Sequence, residues 1–97
     1  MDIWIGKVIH YYTRLGVAAV HLDRELKIGD TVIMLGHTTE LVQRVYSLEI
    51  DHKKVSLASP GTDVAIQVNE PVRVGDAVYR ITEPEVEERL LLSAGIH

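Results

Sequence analysis

LKIGDTV at residues 26–32 and VRVGDAV at residues 72–78 repeat one pattern: apolar, basic, apolar, Gly, Asp, any residue and Val. This pattern predicts a turn, because Gly adopts a positive φ at no steric cost and an Asp side chain can bond the nearby backbone. Each turn leads into a β-rich segment, at residues 31–35 and 77–81. The two corners therefore organise a chain of strands, and the predicted structural turn residues are Gly29, Asp30, Gly75 and Asp76.

The segments around the two corners carry strand signals as well. Runs of β-branched and aromatic residues, bounded by turn residues, predict strands at residues 3–12, 17–22, 55–58 and 64–68, in addition to the two after the corners. Gly6 is interpreted as a bulge or a point of close approach within the first strand. Because no long helical crossover separates these strands, a parallel sheet is excluded.

Residues 40–50 are harder to assign than the other segments. Val42, Val45 and Leu48 are three apart, as in a helix, but the neighbouring segments are all strands. We interpret the segment as one strand with a bulge near Tyr46-Ser47. The polar residues 51–54 that follow are predicted to form a turn.

The hydrophobic period changes after residue 81. Thr82 and Glu85 have the spacing of a capping box at a helix start, and Gly95 is expected to end the helix. An apolar stripe is predicted at Val86, Leu90, Leu91 and Ala94. This stripe either covers one end of the strands or docks a second chain, and the sequence does not separate the two.

These elements predict an all-β fold. Short strands with turns at near-regular spacing favour a small closed or nearly closed antiparallel β-barrel with a short C-terminal helix. The expected organisation is a barrel at residues 1–82 and a helical tail at residues 83–97. At 97 residues the chain is long enough for one core and too short for two.

Composition and charge narrow the class of protein. The chain has no Cys, so disulfides and thiolate metal sites are excluded. The first residues lack a signal-peptide pattern. We therefore predict a cytoplasmic protein without a membrane span. There are 10 basic and 14 acidic residues. Four of the acids fall in the last fifteen residues, which leaves the main body near neutral. That argues against non-specific nucleic-acid binding but leaves a specific contact with an RNA end open.

Catalytic motifs are missing from the sequence. There is no G-x-x-x-x-G-K-(S/T), G-x-S-x-G, H-E-x-x-H or G-x-G-x-x-G pattern. The five histidines, at positions 10, 21, 37, 52 and 97, have no metal-ligand spacing. We therefore predict no catalytic residue, no metal, no cofactor and no nucleotide.

Residues 5–81 resemble domain 2 of the translation GTPases, the β-barrel that follows the G domain in elongation factor Tu. The residues that carry the resemblance are the corner LKIGDTV and the run SLEIDHKKV at residues 47–55, followed by PGTDVAI at residues 60–66. The whole chain looks similar to small stand-alone translation elongation factor-like proteins. It also resembles the C-terminal domain of collagenase-like peptidases.

The translation-factor resemblance implies a binding face around residues 47–55. In the family, that face holds the aminoacyl end of tRNA. The family has Glu, His, Arg and Asn at the positions of Glu49, Asp51, His52 and Asp63. Of these four residue types, this chain keeps only the Glu. The added acids favour a cationic amine over a phosphate. The candidate binding residues are Glu49, Asp51, His52, Lys53 and Asp63.

Three hypotheses follow for function. The leading one is a non-catalytic interaction module that binds a protein, a ribonucleoprotein or an RNA end. The alternative is an accessory subunit or detached domain of an enzyme, such as a collagenase-like peptidase or an RNA-modifying enzyme. The third is a homo-oligomer formed through the C-terminal helix.

Overall fold

A computed structural model describes residues 2–82 and 84–94, with side chains for all of these except 84–86. The fold is mostly β, with antiparallel pairing and one short C-terminal helix, as predicted. In chain order the elements are β1 (Asp2–Tyr12), β2 (Val17–Leu22), β3 (Leu26–Lys27), β4 (Thr31–Leu35), β5 (Glu40–Arg44), β6 (Glu49–Ile50), β7 (Lys53–Lys54), β8 (Leu57–Ala58), β9 (Asp63–Gln67), β10 (Ala77–Ile81) and α1 (Pro84–Ser93).

Most of the described strands form one curled sheet around a single core. Its order is β5-β4-β10-β1-β2-β9-β6-β7, and β3 pairs separately with β8. Alternate side chains point inward, as the buried positions of β2 show, and this alternation is what a sheet with one covered face requires. The core is built from residues such as Ile5, Val20, Leu22, Met34, Ile66 and Val78.

The bulge predicted at Gly6 is confirmed. The register between β1 and β10 shifts between Trp4 and Gly6. At the same point β1 lies so close to β2 that a Cβ built on Gly6 would overlap the carbonyl oxygen of His21. Only Gly allows this approach, so the residue is required by contact with the neighbouring strand.

The two Gly-Asp corners have nearly the same geometry. Gly29 and Gly75 both have a φ of 94°. The Asp carboxylates accept hydrogen bonds from the backbone N–H groups of Lys27, at 2.9 Å, and of Arg73, at 2.8 Å. In each corner the Asp side chain therefore stabilises the turn by bonding its backbone, and the next strand begins after this turn.

Each corner also fastens a distant part of the chain. Gly29 N–H donates to the carbonyl of Val45, and Val45 N–H donates to the carbonyl of Asp30, both at 2.8 Å. The second corner exchanges the equivalent pair of bonds with Val8. The repeated sequence thus produces a repeated docking geometry.

The prediction of one bulged strand at residues 40–50 is wrong. The segment forms two strands, β5 and β6, and residues 45–48 between them lie outside the sheet ladder. The corner bonds at Val45 draw the chain off the sheet at this point. The predicted turn at 51–54 is also too long, because Lys53 and Lys54 form β7 and pair with β6.

The predicted closure into a barrel is wrong too. The sheet has two ends, β5 and β7, and no backbone ladder between described residues joins them. Side-chain bonds span part of the opening instead. The buried Gln43 amide donates to the carbonyl of Gln67 at 2.9 Å, and its oxygen accepts the N–H of Asn69 at 2.8 Å.

Helix α1 lies against β5 and β10. Leu91 is buried, as are Ile33 and Ile81 of the sheet, and none of the three belongs to the main core cluster. A 3.9 Å ion pair joins Arg44 to Glu87. The predicted capping box, the Val86 side chain and the helix end at Gly95 lie outside the described side chains and residues. Oligomerisation through this helix stays a prediction.

Among the residues that the structure describes, no helix has the length and apolar character that a membrane span requires.

Candidate functional site

A cavity of about 420 Å³ lies beside residues 45–48, where the chain passes from β5 to β6. Those two strands are consecutive in the sequence, yet β5 ends the sheet and β6 lies near its opposite end. The linking segment therefore runs along the side on which the sheet is open. The cavity is lined by Ile28, Tyr46, Ser47, Leu48, Glu49, Lys54, Val55 and Gln67.

The apolar wall of the cavity is held by the first corner and by β6. Val45 is fixed to the corner by its two backbone bonds, which places Tyr46 next to Ile28 at the corner's tip. Leu48 is buried and accepts the N–H of Val55 at 2.9 Å. Ile28 and Tyr46 keep 40% and 52% of their surface exposed.

The polar groups of the cavity carry both charges. Glu49 lies directly opposite Lys54 in the β6–β7 pair. In the described part of the chain, neither side chain has an ion-pair partner within 4.0 Å. The hydroxyl of Tyr46 donates to Asn69 at 2.9 Å, so this ring is held in place from outside the cavity.

The backbone of residues 46–48 has free hydrogen-bonding groups. Continuing the Glu49–Ala65 register by two residues would pair Ser47 with Gln67, but the Gln67 carbonyl accepts the amide of Gln43 instead. Within residues 2–82 and 84–94, no protein group bonds the N–H of Tyr46, Ser47 or Leu48. Tyr46 is exposed and Ser47 is half-buried beside the cavity, whereas Leu48 is buried.

The five residues predicted to bind lie on the β6–β7 hairpin and at the start of the neighbouring strand β9. Glu49 lines the cavity. Asp51 and His52 form the tight turn between β6 and β7, and Lys53 pairs with Ile50, one position away from the cavity-lining pair. Asp63 begins β9 and is bonded to His21 on β2 at 2.6 Å. Their role in binding stays a prediction.

Sequence reasoning missed most of the cavity. Tyr46 and Ser47 were interpreted as a bulge, Lys54 as part of a turn and Gln67 as an ordinary strand residue. Only Ile28 had a usable signal, because an exposed apolar residue stands at the tip of a polar corner.

His21 lies between two carboxylates. Its Nδ1 is 2.6 Å from Asp63, and its Nε2 is 3.9 Å from Asp23. Groups of three or more His, Asp or Glu residues placed to hold a metal ion are absent from the described ranges.

The β6–β7 turn stores backbone strain. Asp51 and His52 have φ values of 50° and 64°, the left-handed region that a two-residue type I′ hairpin needs and that Gly occupies most easily. We expect His52→Gly to raise the free energy of unfolding by about 1 kcal/mol, because it removes left-handed strain. Urea denaturation measures the change. His52→Ala is the control and should give no gain; equal stabilisation by both variants would contradict the strain.

Comparison with known proteins supplies a relationship that the cavity alone does not. No family model matches the chain. The chain is 43% identical over 82 residues to an uncharacterised protease of Methanocaldococcus jannaschii. This alignment covers 84% of this chain and 20% of that protein. The chain is 38% identical over 85 residues to a collagenase of Porphyromonas gingivalis, covering 86% of this chain and 20% of the collagenase. The chain thus spans about one fifth of the length of these relatives.

A solved structure defines the fold. The C-terminal domain of a protein described as a U32 peptidase of Geobacillus thermoleovorans superposes with a TM-score of 0.77 at 19% identity, covering 82% of this chain and 93% of that domain. The fold is therefore that of a U32 peptidase C-terminal domain.

The resemblance to translation factors is wrong as an identification. The relatives are named as a protease and a collagenase, and the structural neighbour is a peptidase domain. The physical reason lies in the motif: Gly-Asp corners meet the backbone requirements of a curled antiparallel sheet in any host protein. Of the two family resemblances in the sequence, the one to collagenase-like peptidases is supported.

Proposed function

We propose that this chain is a non-catalytic polypeptide-binding domain that serves a collagenase-like peptidase, as its detached domain or accessory subunit. The observation that carries the proposal is the 43% identity over 82 residues to a segment that makes up 20% of a protease. A segment of this size with the fold of a C-terminal domain is a unit that can be separated from the rest of an enzyme.

The chemistry of the cavity supports binding rather than cleavage. A hydrolytic nucleophile needs a general base within hydrogen-bonding reach. Two residues of the cavity carry hydroxyl groups, Tyr46 and Ser47. The Tyr46 hydroxyl bonds Asn69, and no hydrogen bond between described residues joins Ser47 to a histidine or a carboxylate.

Denatured collagen provides the test. The full chain should be retained on immobilised denatured collagen and should release no fragments from fluorescently labelled denatured collagen during long incubation. The collagenase of the relative is the positive control for cleavage. Failure to be retained would overturn the binding role, and fragment release that persists through purification would overturn the non-catalytic role.

A further inference from the structure

We propose that the backbone of Tyr46 and Ser47 pairs with the backbone of an extended polypeptide segment, one of whose apolar side chains occupies the adjoining cavity. This inference rests on the proposed function, since it names the site at which the chain would hold polypeptide. It assigns a role to Ile28, Tyr46 and Ser47.

The backbone of Tyr46 and Ser47 can bond an added strand. An extended peptide binds a sheet by bonding to free N–H and C=O groups along an edge. Tyr46 and Ser47 have such groups, because Gln43 takes the Gln67 carbonyl that would otherwise face Ser47. The Leu48 carbonyl is already bonded by the N–H of Val55. The position of Tyr46 and Ser47 is also fixed on both sides, by the corner bonds at Val45 and by the bond between Val55 and Leu48. A fixed edge loses little conformational freedom when a strand is added.

The cavity lies beside this edge and can take a side chain of the added strand. Side chains of an added strand alternate between its two faces, so one of them can enter a cavity next to the paired backbone. At about 420 Å³ the cavity is within the usual range for ligand sites, and its apolar lining comes from Ile28, Leu48 and Val55 with the ring of Tyr46. An apolar side chain fits this lining.

The charged groups of the cavity favour a polypeptide over a polyanion. Glu49 and Lys54 place one negative and one positive group at the cavity, so the site has no net sign. Nucleic acid and other polyanions need a positive surface. A neutral peptide backbone needs donors and acceptors instead, which these residues supply.

The test follows backbone amide signals of the full ¹⁵N-labelled chain by NMR. The probe is a short, capped, uncharged peptide of Gly and Ser with one central Leu, added up to millimolar concentration. Amide signals of Tyr46, Ser47 and Leu48 should shift. Replacing the central Leu by Gly, or N-methylating alternate amides of the probe, should each weaken binding at least about tenfold, since each removes one part of the recognition.

The repeated corners provide matched variants. Ile28→Asp should weaken binding of the Leu probe at least about tenfold, because it places a charge in the apolar wall. Val74 holds the same position in the second corner, is 66% exposed and lies outside the cavity lining. Val74→Asp should leave the affinity unchanged within about twofold, as expected of an exposed site away from the contact.

The outcomes separate this site from the proposed function. Retention on denatured collagen without probe shifts at residues 46–48, or with equal effects of the two variants, would overturn the site and leave the binding role standing. Loss of retention without probe shifts would overturn both. Shifts at residues 46–48 that appear on concentrating the chain without any probe would replace the polypeptide by a second copy of this chain.

Discussion

Gly6→Ala is expected to lower the free energy of unfolding by about 3 kcal/mol, at the upper end of what overpacking usually costs. The new Cβ would overlap the carbonyl oxygen of His21, which belongs to the backbone of β2 and cannot rotate away. The two central strands of the sheet would have to separate. A loss of this size is a large fraction of the stability of a small domain.

Urea denaturation of Gly6→Ala measures this loss, and Gly61→Ala is its control. Gly61 has a φ of 85° and no atom within 4 Å of a built Cβ, so it tests conformational freedom without contact. Gly61→Ala should cost about 1 kcal/mol. If Gly6→Ala were the milder of the two, the close approach of β1 and β2 would be contradicted.

Gln43→Ala is expected to cost about 3 kcal/mol, because it leaves buried polar groups without partners and creates a cavity. Gln43 is fully buried and bonds the carbonyl of Gln67 and the N–H of Asn69. These bonds span the opening between β5 and the end of β9. We expect the Asn69 amide of the variant to exchange with solvent faster as well.

Gln67→Ala is the matched control for Gln43→Ala. The Gln67 side chain is exposed, while its carbonyl, which accepts the bond from Gln43, remains in the variant. Its cost should stay within about 0.5 kcal/mol, as for most surface substitutions. Equal stabilities of the two variants, measured by urea denaturation and hydrogen exchange, would show that Gln43 does not hold the opening.

Local chemistry explains which parts of the fold were predictable. The Gly-Asp corners follow from backbone preferences within a few residues, and β2, β4 and β10 follow from residue type and alternation. The break between β5 and β6 depends on partners far away in the sequence. Val45 is drawn off the sheet by the first corner, and Gln43 is 24 residues from the carbonyl that it bonds. The hydrophobic period of a segment gives no information about contacts with residues far away in the sequence.

The candidate site was predictable only in part, for a related reason. Glu49 was among the predicted binding residues, and it lines the cavity. Lys54 was missed in favour of Lys53, because the two-residue turn at Asp51 and His52 sets which lysine faces Glu49. A difference of one residue in a hairpin moves a side chain to the other face.

The open side of the sheet links the fold to the proposed function. A fully closed ladder would pair the backbone at residues 46–48 and leave no edge for a polypeptide. Here Gln43 joins β5 to the end of β9, while the N–H groups of Tyr46 and Ser47 beside the cavity have no partner in the described part of the chain. The residue that joins these strands therefore also leaves open the backbone at which we propose that polypeptide binds.

The most direct test of the proposed role is the rate at which a grafted collagenase cleaves denatured collagen. In this graft the present chain replaces the matching segment of the Porphyromonas gingivalis collagenase, which is 38% identical over 85 residues. The graft should cleave at least about tenfold faster than the collagenase with that segment deleted, because a linked binding domain raises the local substrate concentration. A folded graft that cleaves no faster than the deletion would contradict the role.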